Sequence, residues 1–440
     1  MVLIDIAMSA KDSVLAFLAI PNRSNSEIAI ATAATFAIWL LLKYPDRAIG
    51  CDARPELGKR QVKGWPLLGN LPMLIRNGSA PLEMIFNNFE KYGSVHAVTV
   101  PNRGRLIFVN TPEILEHILK TRFDNYIKGF VFRDTSADVL GDGIFIADQE
   151  KWRSHRKTAS NIFTTKLLRQ LVRGAFKTSA LEVCDVMIRE GEQRNKPIDF
   201  QQLFLKMTMD VFGKMTFGID FQALKNEGSH EFGDAFDYCT LLIDQRVTNP
   251  LFKVTHWLTP GKNKKSREML GVLDRYAAQA IEARRNETEE EKANRGRDLL
   301  DHFINYVAED GTMLSPKDLR DVFVNFMVAG RDTTALTLAW QFHYILSQPR
   351  VLKNVMKELR IVLNGSDDIT YELLLNELPY LKSVMHETLR LAVIVPRNAK
   401  VVVDDDVLPD GTPVRGGDII VFSGWCMGRN RRVWGEDAAL

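Results

Sequence analysis

The stretch Val324–Gln341, VNFMVAGRDTTALTLAWQ, decides the fold. It lies inside a longer apolar run, Leu319 to Ser347, that meets no proline before Pro349. Apolar side chains recur on all sides, which predicts a helix buried through the middle of a large domain. Set into it is the hexad Ala329-Gly330-Arg331-Asp332-Thr333-Thr334. Burying Arg331 and Asp332 is unfavourable unless they are paired or used. One reading is a core helix with a satisfied Arg–Asp contact. The other is a site. Gly330 has no Cβ to keep a flat ligand off the helix backbone. A Thr333 hydroxyl bonded to the Ala329 carbonyl loosens the ladder locally. Asp332 beside it completes an acid–alcohol pair able to move protons toward something bound over Gly330.

Composition leaves both readings open and excludes others. The chain has 440 residues, 45% hydrophobic and 25% charged, an ordinary globular balance. A net charge of +2 gives no footprint for nucleic acid. The four cysteines, Cys51, Cys184, Cys239 and Cys426, form no C-x-x-C pair, and the eight histidines show no metal-ligand spacing. They predict a reduced, cytosol-facing protein without a histidine-cluster metal site.

Near the start, Ile28–Leu42 is uncharged and bounded by Glu27 and Lys43. It is short for a span, which Lys43 and Tyr44 extend by snorkelling. Lys43, Arg47, Arg54, Lys59, Arg60 and Lys63 follow it, whereas Lys11 and Arg23 before it are mixed with Asp5, Asp12 and Glu27. The positive-inside rule then places the main domain on the cytosolic side. A cleaved signal would sit nearer Met1 and need a small-residue cleavage site.

The hexad's spelling, A-G-x-D-T-T in a long central helix, closely resembles the oxygen-activating helix of the cytochrome P450 family. Other stretches follow in family order. Gly64-Trp65-Pro66-Leu67-Leu68-Gly69-Asn70 resembles the family's G-x-P-x-x-G-N turn. Trp152 and Arg156, four apart on one helix face, match the family's W-x-x-x-R, which binds a haem propionate. Glu387 and Arg390, within H-E-T-L-R-L, match its E-x-x-R pair, which locks the core behind the haem. Arg397 stands where the family places another propionate-binding arginine. After the E-x-x-R helix the family often has an aromatic and a proline; here Ala392-Val393-Ile394-Val395 precedes Pro396, a change beside the substrate pocket.

The resemblance implies a mainly α fold with small β-sheets, the cytochrome P450 fold, behind a membrane anchor. It implies an anchor at 1–44, a rigid Pro/Gly hinge at 45–70 and one catalytic domain at 71–440. It also implies haem as cofactor, with Asp332 and Thr333 delivering protons, Trp152, Arg156, Gly330 and Arg397 binding the cofactor, and Glu387 and Arg390 structural. NADPH-cytochrome P450 reductase, the endoplasmic reticulum membrane and a lipophilic substrate follow as partners. Gly141-Asp142-Gly143-Ile144-Phe145, Trp152–Phe163, Thr208–Phe221 and the hexad are most similar to the microsomal branch that hydroxylates fatty acids and alkanes at the chain end, a branch that also includes enzymes acting on other lipophilic and secondary-metabolite substrates. The family's iron-ligating loop, F-x-x-G-x-R-x-C-x-G, is absent from these residues, which stop at Leu440. Cys426 has no arginine two before it. Two readings follow: a monooxygenase sequence cut before that loop, or a non-catalytic, membrane-anchored remnant. Both predict no P450 turnover from these residues alone.

Local patterns add further expectations. Val95–Val100 and Arg105–Val109 read as a hairpin. Thr111-Pro112 opens a helix running to about Lys120. Phe123–Phe145 reads as a substrate-facing loop, and Glu150 opens a helix. Asp199–Phe221 and Glu231–Gln245 read as helices, Lys262–Arg267 and Arg284–Asp298 as solvated loops and helix ends. Short strands are expected at Val401–Val403 and Ile419–Phe422.

Overall fold

The computed structural model describes residues 24–160, 165–226, 228–295, 298–306, 313–366 and 368–438, with a few further side chains left undescribed. Asp5, Lys11, Asp12 and Arg23 of the leading segment, the tail of the Trp152–Phe163 stretch and the final Ala439-Leu440 lie outside them. The chain divides into two compact units, each assembled from separated segments.

The first unit combines residues up to Ile127 with 248–251 and 397–427. Its leading element is α1, Asn25–Lys43, started by a capping box between Ser24 and Glu27. At 19 residues it outruns the uncharged stretch, and among the described residues it is the helix long and apolar enough to cross a membrane. Lys43 Nζ reaches back to 4.9 Å from the Trp39 ring. Behind it stands a five-stranded sheet. The expected hairpin is β1, Val95–Val100, antiparallel to β2, Gly104–Val109. The other strands are β3, Tyr126–Ile127, β4, Asn398–Val402, and β5, Ile419–Phe422, in the order β1-β2-β5-β4-β3. β2 and β5 run parallel, so β2 pairs with a strand 313 residues later in sequence. The Pro/Gly stretch is pinned to β1: Val62 N–H donates to the Ala97 carbonyl at 2.8 Å and Asn70 N–H to that of Thr99 at 2.7 Å.

The second unit is helical. Its members used below are α2, Gly129–Leu140, α3, Gln149–Ser160, α4, Phe200–Phe217, and α5, Glu231–Thr248. They are followed by α6, Pro260–Arg285, α7, Pro316–Met327, α8, Thr333–Ser347, and α9, Pro379–Leu391. Two expectations are corrected. Phe123–Phe145 is not all loop, since α2 and β3 occupy most of it; mixed aromatic and polar residues hid a helix with a weak apolar face. Lys262–Arg267 lies in the first turns of α6 rather than in a loop. There the lysines face solvent while Val272, Leu273, Ala277 and Ile281 are buried.

The predicted central helix is present in two parts. It starts at Pro316, three residues before Leu319, because Ser315 and Asp318 cap each other's backbone amides at 3.1 and 3.2 Å. In α7 Leu319, Val322, Phe323, Val324, Phe326 and Met327 are all buried, each contributing about 1.5–3 kcal/mol. The expected burial on all sides holds for this half only. In α8, Trp340 is 44% and Leu346 53% exposed, because packing partners cover one face of it.

Candidate functional site

The hexad falls at the junction of α7 and α8. Val328–Asp332 is a turn of π-helix, in which the backbone winds wider than in the α-helices either side. Such turns break the regular ladder and turn up often at functional sites. The Thr333 hydroxyl donates to the Ala329 carbonyl at 2.6 Å, the local bond that the sequence suggested. α4 packs along both the π turn and α8. Gly330 has a more specific reason to be glycine than the sequence offered. A Cβ there would overlap the ring of Phe212 on α4, so the space it leaves on that side belongs to the protein and not to a flat ligand.

Arg331 and Asp332 realise the paired reading. Arg331 is 3% exposed. Its Nη1 lies 2.8 Å from Asp332 Oδ1 and 2.7 Å from Asp237 Oδ1 on α5. Its guanidinium carbon sits 5.2 Å from the Phe236 ring centroid, and its carbonyl accepts the Thr208 hydroxyl at 2.9 Å. One cation thus answers two carboxylates. Burial pushes the Asp332 carboxyl above the usual range, Arg331 pulls it down, and the Asp237 charge pushes it up again. A half-buried acid whose pKa burial raises, next to a threonine in a loosened turn, can take up a proton and pass it on.

Trp152 and Arg156 share a face of α3. Trp152 is half-buried, with Lys128 Nζ 5.8 Å from its ring. Arg156 is exposed, and no hydrogen bond or ion pair to the described residues is present. Glu387 and Arg390 form a two-pronged pair on α9, at 2.5 Å and 2.7 Å. Arg390 also donates to the carbonyls of Gly428 and, at 2.7 Å, Ala438, and lies 5.0 Å from the Trp434 ring. Those three partners escaped the sequence reading, which had no signal for contacts 38 to 48 residues away. Arg397, just before β4, belongs to the first unit.

A family model for cytochrome P450 matches residues 60–438. The chain belongs to the cytochrome P450 family. Among curated P450 relatives, cytochrome P450 monooxygenase cyp1 of Mycosarcoma maydis is 36% identical over 91% of this chain, which spans 64% of that protein's length. Cytochrome P450 704B1 of Arabidopsis thaliana is 31% identical over 88% of this chain and 80% of its own. The crystal structure of a cytochrome P450 named CYP102L1 shares the fold, with a TM-score of 0.69 at 19% identity, covering 82% of this chain and 80% of that one.

The family's cofactor is haem, and the residues present fit its edge but not its iron. Arg156, an exposed cation with no partner among the described residues, suits a propionate. The cysteines do not suit the metal. Cys239 is sealed among helices, and burial pushes its thiol up to about 12. Burial also raises that of Cys51. Cys426 is fully buried with its thiol toward the Leu82 carbonyl at 3.9 Å, and Cys184 is exposed on a surface helix.

Proposed function

We propose that these residues belong to a haem-thiolate monooxygenase that hydroxylates a lipophilic, fatty-acid-like substrate. One oxygen atom of O2 enters a C–H bond. The other leaves as water, taking two protons and two electrons that originate in NADPH and arrive through a flavoprotein reductase. The observation that carries this is the π turn of the hexad, with Thr333 bonded to Ala329 and a half-buried Asp332 raised above its usual pKa.

Haem, when bound, supplies the metal at which O2 is reduced. The work of the chain lies around it. Asp332 stores a proton and Thr333 offers the adjacent hydroxyl, while Arg331 fixes the Asp332 carboxylate. Trp152 and Arg156 would bind a haem propionate, Arg397 is a candidate for the same chemistry, Gly330 admits the Phe212 ring against the π turn, and Glu387 and Arg390 brace α9. The family's iron ligand is a cysteine thiolate in an F-x-x-G-x-R-x-C-x-G loop, a pattern that none of Cys51, Cys184, Cys239 and Cys426 matches.

The chain-end preference rests on Gly141–Phe145, Thr208–Phe221 and the hexad. Membrane attachment rests on α1, whose 19 residues reach about 28 Å at 1.5 Å per residue, against a hydrocarbon core of about 30 Å. Basic residues after it support a catalytic domain on the cytosolic side of that membrane, and the endoplasmic reticulum is the membrane proposed.

The test is reconstitution of the chain, carried through a family-type cysteine loop, with NADPH-cytochrome P450 reductase and a panel of fatty acids and alkanes. Terminal alcohols supported by NADPH are expected. Turnover confined to polar substrates, or none in a haem-loaded protein, would overturn the proposal.

A further inference from the structure

Leu140–Ala147, the strap between α2 and α3, is built into the central helix. Asp321 and Asn325, 3% and 0% exposed, lie one turn apart on one face of α7. Asp321 Oδ2 accepts the Asp142 N–H at 2.9 Å. Asn325 Oδ1 accepts the Phe145 N–H at 3.0 Å, and its Nδ2 donates to the carbonyls of Leu140 at 2.7 Å and Asp321 at 2.8 Å. Arg320, next to them, donates to the Val139 carbonyl at 2.6 Å. The fit leaves no slack. A Cβ on Gly141 would overlap the Asp321 carboxylate, and one on Gly143 the Asn325 amide. Polar side chains this deep in an apolar helix are costly unless their bonds are made, and here those of Asp321 and Asn325 go to the strap or to α7 itself.

The strap's far end is held by Lys128. Its Nζ donates to the carbonyls of Ile144 at 2.6 Å and Ala147 at 2.7 Å, and lies 5.8 Å from the Trp152 ring. The Lys128 and Gly129 amides also close on the Asp148 carboxylate at 2.8 and 2.9 Å. The 321–325 face leads, one turn on, to Ala329 in the π turn.

We propose that Asp321, Asn325 and Lys128 are positioning residues that key the strap between α7 and α3, holding the hexad's helix and the Trp152–Arg156 helix in one register. The consequence for haem geometry rests on the function proposed above; the mechanical link does not.

Amide exchange of the haem-free chain tests it. The strap amides of Gly143, Ile146 and Ala147 are hydrogen-bonded and so report on its opening. In Asn325→Leu and in Gly143→Ala, exchange of the strap and of α3 should rise about tenfold, the equivalent of 1.4 kcal/mol, with α6 unchanged. Lys128→Met should do the same for residues 144–147 and α3, while Lys128→Arg, which keeps the donors, should restore protection. Unchanged strap exchange, a strap that loosens without α3, or a uniform rise across the helical unit would each overturn the link. If Asn325→Leu fails to fold, the Gly143 and Lys128 variants decide. None of these outcomes bears on iron ligation, which a carbon monoxide spectrum reads separately.

Discussion

Replacing Arg390 by alanine should cost far more than replacing its partner Glu387 by glutamine. The pair is lopsided: the Arg390 side chain is 10% exposed and that of Glu387 54%. The Arg390 hydrogen bond holds the Glu387 carboxyl below its usual pKa, and half-exposed pairs of this kind are worth only about 0.5–1 kcal/mol. Arg390 does more than pair. It donates to the Gly428 and Ala438 carbonyls and lies over Trp434, so its loss strands two acceptors and a ring contact. Charged hydrogen bonds contribute about 1.5–3 kcal/mol each and an exposed cation–ring contact about 0.5–1 kcal/mol. These contributions overlap, and the loss of two charged hydrogen bonds and the ring contact is expected to make Arg390→Ala cost about 3–5 kcal/mol. Glu387→Gln should cost about 0.5–1 kcal/mol. Urea unfolding of the detergent-solubilised chain, followed by far-ultraviolet circular dichroism, measures both. Equal losses, or an Arg390→Ala loss as small as that of Glu387→Gln, would refute the assignment of Arg390 as the anchor.

The Asp332 carboxyl is raised by burial, so its protonated form favours the fold. That contribution is present below the unfolded pKa of about 3.9 and is lost as pH rises through the folded value. Wild type should therefore weaken relative to Asp332→Asn as pH rises from about 4; parallel stability curves from urea titrations at stepped pH would contradict it. In the complete enzyme, Thr333→Ala should leave NADPH consumption running while product falls and hydrogen peroxide appears. Unchanged coupling would remove Thr333 from proton delivery. Arg153 and Lys157 lie on the exposed side of α3 and are basic, although Arg153 already pairs with Glu150. Reversing both charges should slow reductase-supported turnover at low salt, and an unchanged rate would exclude this face from docking.

The local pairings within the candidate motifs were legible because their spacing matches a helix period. The Thr333–Ala329 bond, the Glu387–Arg390 pair and the shared face of Trp152 and Arg156 each need only three or four residues of local sequence. The β1–β2 hairpin was readable for the same reason. What escaped was long-range. Nothing near Arg331 announces Asp237, and nothing near Asn325 announces the Leu140 carbonyl, 185 residues away. Gly330 shows how the two scales mix: its rarity in a helix was visible, while its reason, the Phe212 ring, was not. Arg284 is a further case. Placed by sequence in a solvated stretch, it is 5% exposed and bonded to Asp298 at 2.8 Å and to the Phe217 carbonyl at 3.0 Å. A charged side chain looks the same in sequence whether water or a buried carboxylate receives it.

The central proposal is that this chain builds the surroundings of a haem and that none of its four cysteines ligates the iron. The reduced, carbon monoxide-bound difference spectrum tests it most directly, recorded after haem loading on the 440-residue chain and on the same chain extended by a family-type cysteine loop. The account predicts a thiolate-type Soret band from the extended chain alone. A thiolate band from the 440 residues would mean that one of Cys51, Cys184, Cys239 and Cys426 reaches the iron, and its absence from the extended chain would contradict the haem-thiolate assignment itself.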